Sequence, residues 1–145
     1  MMVLFILPNF SGGGAERATL NLSIKLQQQG YLVKLIVFDS VGPLMKMMPK
    51  EMIIESLNTK TLLKSIIPLI REIYKLQPKV IFSTLSYINL FLIMASFFIP
   101  GRFTIWAREA NLPSMSLPNN KYSYFMSFTY FWIYRFADRI LCTSN

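Results

Sequence analysis

Residues Phe10-Ser-Gly-Gly-Gly-Ala-Glu-Arg17 have the types and spacing best suited to chemistry in this 145-residue chain. Consecutive glycines let the backbone turn tightly and let a ligand come close, and the exposed N–H groups of the helix that follows favour an anion. Gly12, Gly13 and Gly14 therefore suit a nucleotide or sugar-nucleotide diphosphate. A bare glycine triplet also leaves open a ligand-free β–α loop. Arg108 follows an apolar run and can pair bidentately with a phosphate or form a salt bridge with Glu109. Asn111 can hold a hydroxyl or cap the turn before Pro113. Glu16 suits a helix's first turn or a contact with the ligand, and Asp39 suits a hydroxyl contact or a solvated loop.

The chain has no histidine, which excludes a Ser-His-Asp triad, a Cys-His pair and the common His-based metal sites, so no metal site is expected. Cys142 is the single cysteine; it allows no internal disulfide and reads as an inert core thiol of a reducing compartment. Fifteen Lys and Arg against seven Asp and Glu give a net charge of +8, which calls for an anionic partner. The basic residues are scattered rather than clustered, which favours phosphate ligands and an anionic membrane surface over nucleic acid. With 53% hydrophobic and only 15% charged residues the chain is not disordered and lies near the apolar end of soluble domains.

The elements that must position these groups alternate. Val3–Leu7 is a continuous apolar run, as in a strand buried on both faces. Ala15, Ala18, Leu22 and Leu26 recur at helical spacing, with Gly30 as the stop. Leu32–Phe38 is the next strand, and Pro43 and Pro49 frame a Met-rich loop. Met52–Leu57 reads as a short strand, with Thr59 or Thr61 as the cap of an amphipathic helix in which Pro68 predicts a kink or a late start. Lys79–Thr84, Arg102–Ala107 and Arg139–Thr143 read as further strands, Tyr87–Phe98 and Lys121–Phe136 as helices. The expected fold is α/β, a Rossmann-like doubly wound parallel sheet forming one domain over residues 1–145.

No charged residue occurs between Val80 and Gly101, long enough to just span a bilayer. Ser83, Thr84, Ser86, Tyr87 and Asn89 dilute its first half, so a buried strand, turn and helix fit better. Tyr122–Tyr134 is uncharged and aromatic but too short to span; it suits either a buried helix or one lying in a membrane interface. Met1–Leu7 lacks the basic start of a signal peptide, so the expected location is cytoplasmic.

Four stretches together resemble the N-terminal domain of a GT4-type, GT-B glycosyltransferase of the capsular or O-antigen kind. Ile6-Leu-Pro-Asn-Phe-Ser-Gly-Gly-Gly-Ala-Glu-Arg17, with Asn21-Leu22, Leu26 and Gly30, is similar to the family's first strand, glycine loop and helix and is the most specific. Lys75-Leu-Gln-Pro-Lys-Val-Ile-Phe-Ser83 is similar to the entry into a central strand, with Lys79 where Asp is usual. Arg108-Glu-Ala-Asn111 resembles the family's arginine- and asparagine-bearing loop, and Ala137-Asp-Arg-Ile-Leu-Cys-Thr-Ser144 its last N-domain strand. Asp138 and Ser144 are expected to serve the fold.

The resemblance implies the N-terminal, acceptor-side half of a GT-B fold in a retaining transferase. Such an enzyme moves a sugar from a nucleotide-sugar donor, its substrate, to a lipid-linked glycan in surface polysaccharide synthesis, with no separate cofactor. It implies that Gly12, Gly13 and Gly14 face the donor diphosphate and that Glu16, Arg108, Glu109 and Asn111 face acceptor or phosphate; no catalytic residue follows from it. Family members are more than twice as long, so the chain is expected to lack the C-terminal donor domain, to need it for turnover, and to act peripherally at the inner face of the cell membrane. Two other functions compete. One is an NAD-binding Rossmann oxidoreductase, weakened because Arg17 stands where its third glycine belongs. The other is a membrane-associated interaction module, favoured by the charge and the aromatic segments.

Overall fold

The computed structural model describes residues 1–99, 103–109, 135 and 139–142. Six strands form one sheet: β1 (Met2–Leu7), β2 (Leu32–Val37), β3 (Ile53–Ser56), β4 (Val80–Ser83), β5 (Thr104–Glu109) and β6 (Arg139–Cys142). Their order is β3-β2-β1-β4-β5-β6, with every neighbouring pair parallel. Among the described residues three α-helices lie between strands: α1 (Gly14–Gln28) after β1, α2 (Leu62–Leu76) after β3 and α3 (Ser86–Ser96) after β4. A short 3-10 helix, Pro43–Met47, occupies the Met-rich loop. The expected α/β, Rossmann-like parallel sheet is what forms.

Apolar runs become strands here because both faces of the sheet are covered. Leu4, Ile6, Ile36, Ile81 and Ile105 pack on one face with Leu69 and Ile73 of α2 and Ile88, Leu92 and Ile93 of α3. The alternate residues Val3, Phe5, Leu7, Val33, Leu35, Val37 and Phe82 pack on the other face with Leu20 of α1, Phe10 and Leu44. Phe5 and Phe82, paired across β1 and β4, bring their rings to 5.1 Å at 46°. Such an aromatic pair adds about 1 kcal/mol beyond its buried area.

The uncharged stretch after Val80 resolves into β4, a turn and α3, and among the described residues no helix is long and apolar enough to cross a membrane. Gly30, at φ +85°, ends α1 as expected. The helix around Pro68 does not start late: α2 begins at Leu62 and runs through the proline. The N–H that Pro68 lacks would have served the Lys64 carbonyl. Thr61 is the N-cap of α2 without a side-chain cap bond. Its carbonyl instead accepts from Ser65 Oγ, which also pairs with Thr59 Oγ1. The expected aromatic helix, Arg135 apart, lies outside the described residues, as do Asn111, Asp138 and Ser144.

Candidate functional site

The strand order sets the position of the site. From β1 the chain builds outward to β2 and β3, then returns to β4 on the other side of β1. The loops leaving β1 and β4 diverge, and in open α/β sheets the crevice outside the carboxyl ends at such a point is where ligands sit. The glycine triplet leaves β1 there, and Thr84 and Leu85 leave β4 there.

At this junction α1 starts with Gly13 as N-cap, extended at φ −64° and ψ 161°, with no side chain bonded to the cap. The first helical backbone bond runs from Arg17 N–H to the Gly13 carbonyl. The amides of Gly14, Ala15 and Glu16 therefore precede any intrahelical acceptor. Gly12 has φ +101°, a backbone only glycine adopts without strain. At Gly14 an added Cβ would meet nothing within 4 Å, so this position faces open space. At Gly13 the same Cβ would run into the Glu16 carboxylate, which folds back over the cap. The positive end of α1 is thus already approached by one anion belonging to the chain.

The loop is held from below by a segment that the sequence did not single out. Phe10 N–H donates to the Val41 carbonyl (3.0 Å) and Leu44 N–H to the Phe10 carbonyl (3.2 Å). Gly42, at φ +138° and ψ 161°, lies directly against the Phe10–Ser11 peptide. Asp39 N–H donates to the Pro8 carbonyl (3.0 Å), which places Asp39 beside the same loop. Its signal was available: a Gly-Pro pair after a strand marks a turn with special backbone angles.

Polar residues in the stretch from Ser83 to Asn89 knit the junction together. Thr19 Oγ1 of α1 donates to the Ala15 carbonyl (2.8 Å) and pairs with the Thr84 hydroxyl (3.1 Å), with both threonines buried. Asn89 of α3, fully buried, donates from Nδ2 to the Arg108 carbonyl (3.2 Å) and so fixes the end of β5. Ser83 is fully buried at the end of β4, and its Oγ has no hydrogen-bond partner among the described residues. Tyr87, at the start of α3, has its phenol pushed above the ordinary value by burial and then by the negative charge of Glu16, so the starts of α1 and α3 share one electrostatic environment. A polar residue inside an apolar run was the only trace these contacts left in the sequence.

Arg108 and Glu109 end β5, two strands from β1, which is about 10 Å along the sheet. Strand alternation puts Arg108 on the α1 face, with Trp106. Among the described residues its guanidinium makes no ion pair. Gly12, Gly13, Gly14, Glu16 and Arg108 thus lie along one edge of the sheet, and Asn111 is outside the described residues. Among the described residues no three His, Cys, Asp or Glu come together in a way that could hold a metal ion.

If Glu16 guards the helix start, Glu16→Gln is expected to strengthen pyrophosphate binding several-fold and to lower the Tyr87 pKa, because one competing negative charge is removed. Calorimetric titration and NMR titration of the Tyr87 ring carbon read the two effects. An unchanged Tyr87 titration would mean that the carboxylate does not act at this junction.

No protein-family model matches the chain, and no curated protein matches it in sequence. Solved structures do match it in fold, among them the two that follow. The apo form of the lipopolysaccharide outer core galactosyltransferase WaaB superposes with a TM-score of 0.65 at 14% identity, over 97% of this chain and 38% of its own. Acinetobacter baumannii MurG superposes with a TM-score of 0.62 at 16% identity, over 99% of this chain and 41% of its own. Both are GT-B glycosyltransferases. The fold is accordingly the Rossmann-like α/β domain of the GT-B architecture, and the chain spans about two fifths of the length of these neighbours.

Proposed function

We propose that the chain is the acceptor-side, N-terminal part of a GT-B glycosyltransferase of the GT4 type. It would transfer a hexose from a nucleotide sugar, with retention of configuration, to a lipid-linked glycan in surface polysaccharide synthesis. The observation that carries the reading is the start of α1: amides of Gly14, Ala15 and Glu16 without a side-chain cap, at the β1/β4 junction, with open space at Gly14. The likeness to two GT-B enzymes supports the same reading.

In that role the amides would stabilise charge that develops on the leaving diphosphate, and Gly12 and Gly13 would let the phosphate reach them. Arg108, on the same sheet edge, would pair with a phosphate of donor or acceptor, a charge-assisted contact that also orients it. Glu16 would move off the cap as the phosphate arrives. Glu109 and Asn111 would serve the acceptor. The nucleotide sugar is substrate, no separate cofactor takes part, and a second domain would complete the donor site. The setting is the inner face of the cell membrane, as a peripheral protein.

The test is calorimetric titration of the chain with UDP, inorganic pyrophosphate and NAD(H). Diphosphates are expected to bind with Kd on the order of 1 mM, since half of the donor's contacts would come from elsewhere. Gly14→Asp, which leaves α1 intact but sets a carboxylate at its start, and Arg108→Ala are each expected to weaken binding at least ~5-fold. Diphosphate binding that neither variant changes would overturn the reading, and NAD(H) binding tighter than UDP would favour the oxidoreductase.

A further inference from the structure

Helix α2 carries a second surface that the sugar-transfer reading does not use. Leu63, Ile67 and Tyr74 are 79%, 73% and 58% exposed, and with half-buried Ile70 they recur at spacings of four, three and four residues. That spacing makes one stripe along the outside of the helix, about 17 Å long. The stripe continues across a groove of about 300 Å³ onto Phe98 beyond α3, which is 83% exposed. Single exposed apolar residues are ordinary, but a contiguous stripe of this length on a folded domain marks an interaction face.

The charges beside the stripe indicate what covers it. Lys60, Lys64, Arg71 and Lys75 are all exposed and flank it on one side. The one acid of α2, Glu72, is buried, where it meets Lys34 and Lys75 at 3.5 Å. The outer face of α2 is therefore apolar and cationic with no exposed carboxylate. A second copy docked face to face would set lysines against lysines, which opposes self-association. An anionic lipid surface satisfies both features: acyl chains receive Leu63, Ile67 and Phe98, Tyr74 sits at headgroup level, and the basic row meets the phosphates.

We infer that α2 is a membrane-docking helix that lies in the headgroup layer of an anionic bilayer. The inference deepens the membrane part of the function proposed above but uses none of its ligand-binding argument, so the two fail separately.

Flotation of the 145-residue chain with vesicles tests it. The wild type is expected to float with phosphatidylcholine vesicles containing 30% phosphatidylglycerol and to stay behind with phosphatidylcholine alone. Leu63→Gln/Ile67→Gln and, separately, Lys60→Gln/Lys64→Gln/Arg71→Gln are each expected to lose at least ~10-fold in partitioning. Both sets are exposed, so their thermal unfolding should match the wild type. A control with the same loss of charge elsewhere, Lys25→Gln/Lys46→Gln/Lys50→Gln, should stay within about 2-fold. No flotation of the wild type, or an equal loss in the control, would overturn the inference. So would a Leu63→Gln/Ile67→Gln variant that floats normally but turns a wild-type dimer into a monomer.

Discussion

Replacing Gly42 by alanine is expected to destabilise the fold by at least ~3 kcal/mol, read from the shift of the guanidinium unfolding midpoint. Two costs combine. At φ +138° and ψ 161° the residue occupies a region that is essentially restricted to glycine, which alone costs of order 1–3 kcal/mol for alanine. The new methyl group would also enter the space of the Phe10 carbonyl and the Ser11 nitrogen, and these are backbone atoms that cannot rotate away. Relief requires moving the Phe10–Gly12 loop off the Val41–Leu44 segment, which breaks the hydrogen bonds of Phe10 N–H and Leu44 N–H. Gly30→Ala is the matched control. Gly30 also has positive φ, at +85°, but faces open space, so it is expected to lose only about 1 kcal/mol. Equal losses in the two variants would show that the crossing of the two loops does not matter. The functional consequence follows from the same contact: any Gly42 variant that still folds should also weaken diphosphate binding, because the glycine loop rests on this crossing.

Lys34→Met is expected to cost about 3 kcal/mol at pH 7. Lys34 lies under α2 with its side chain only 11% exposed, paired with Glu55 of β3 and, at 3.5 Å, with Glu72. Methionine matches its volume but leaves Glu55 and Glu72 sharing one site with only the more exposed Lys75 still paired to Glu72. Most of the cost belongs to Glu72, whose side chain is 12% exposed, since water screens Glu55 at 34%. The Lys34 hydrogen bond and charge hold the Glu55 carboxyl below its ordinary 4.5. A group with a lowered folded-state pKa adds stability above its unfolded value and loses it as pH falls through the folded one. The wild type should therefore lose this contribution below about pH 4.5 while Lys34→Met has none to lose, so the gap between the two unfolding curves should narrow in acid. A gap that stays constant from pH 7 to pH 3 would show that the loss comes from packing rather than charge.

Much of the fold was legible because it is written locally. Apolar runs of strand length, helical spacing from Ala15 to Leu26, and Gly30 as a stop are short-range signals, and β1, α1 and β2 formed where they pointed. The glycine loop was legible for the same reason: its glycines all lie in one β–α connection. Pro68 left a kink and a late start open, and only the packed chain shows that α2 already begins at Leu62. The buried Lys34 looked like one scattered cation among fifteen, and nothing within a few residues of it announces Glu55 or Glu72.

The sequence by itself determined the alternation of strands and helices, the position of the phosphate-suited loop, and the exclusion of histidine chemistry. Only the tertiary structure decided that Thr19 meets Thr84, that Gly42 underlies Phe10, that Asn89 holds the end of β5, and that the apolar stripe of α2 faces outward. The physical reason is range. Backbone preference and hydrophobic period act over a few residues, whereas these contacts join groups separated by up to 65 positions and exist only once the strand order has brought them together.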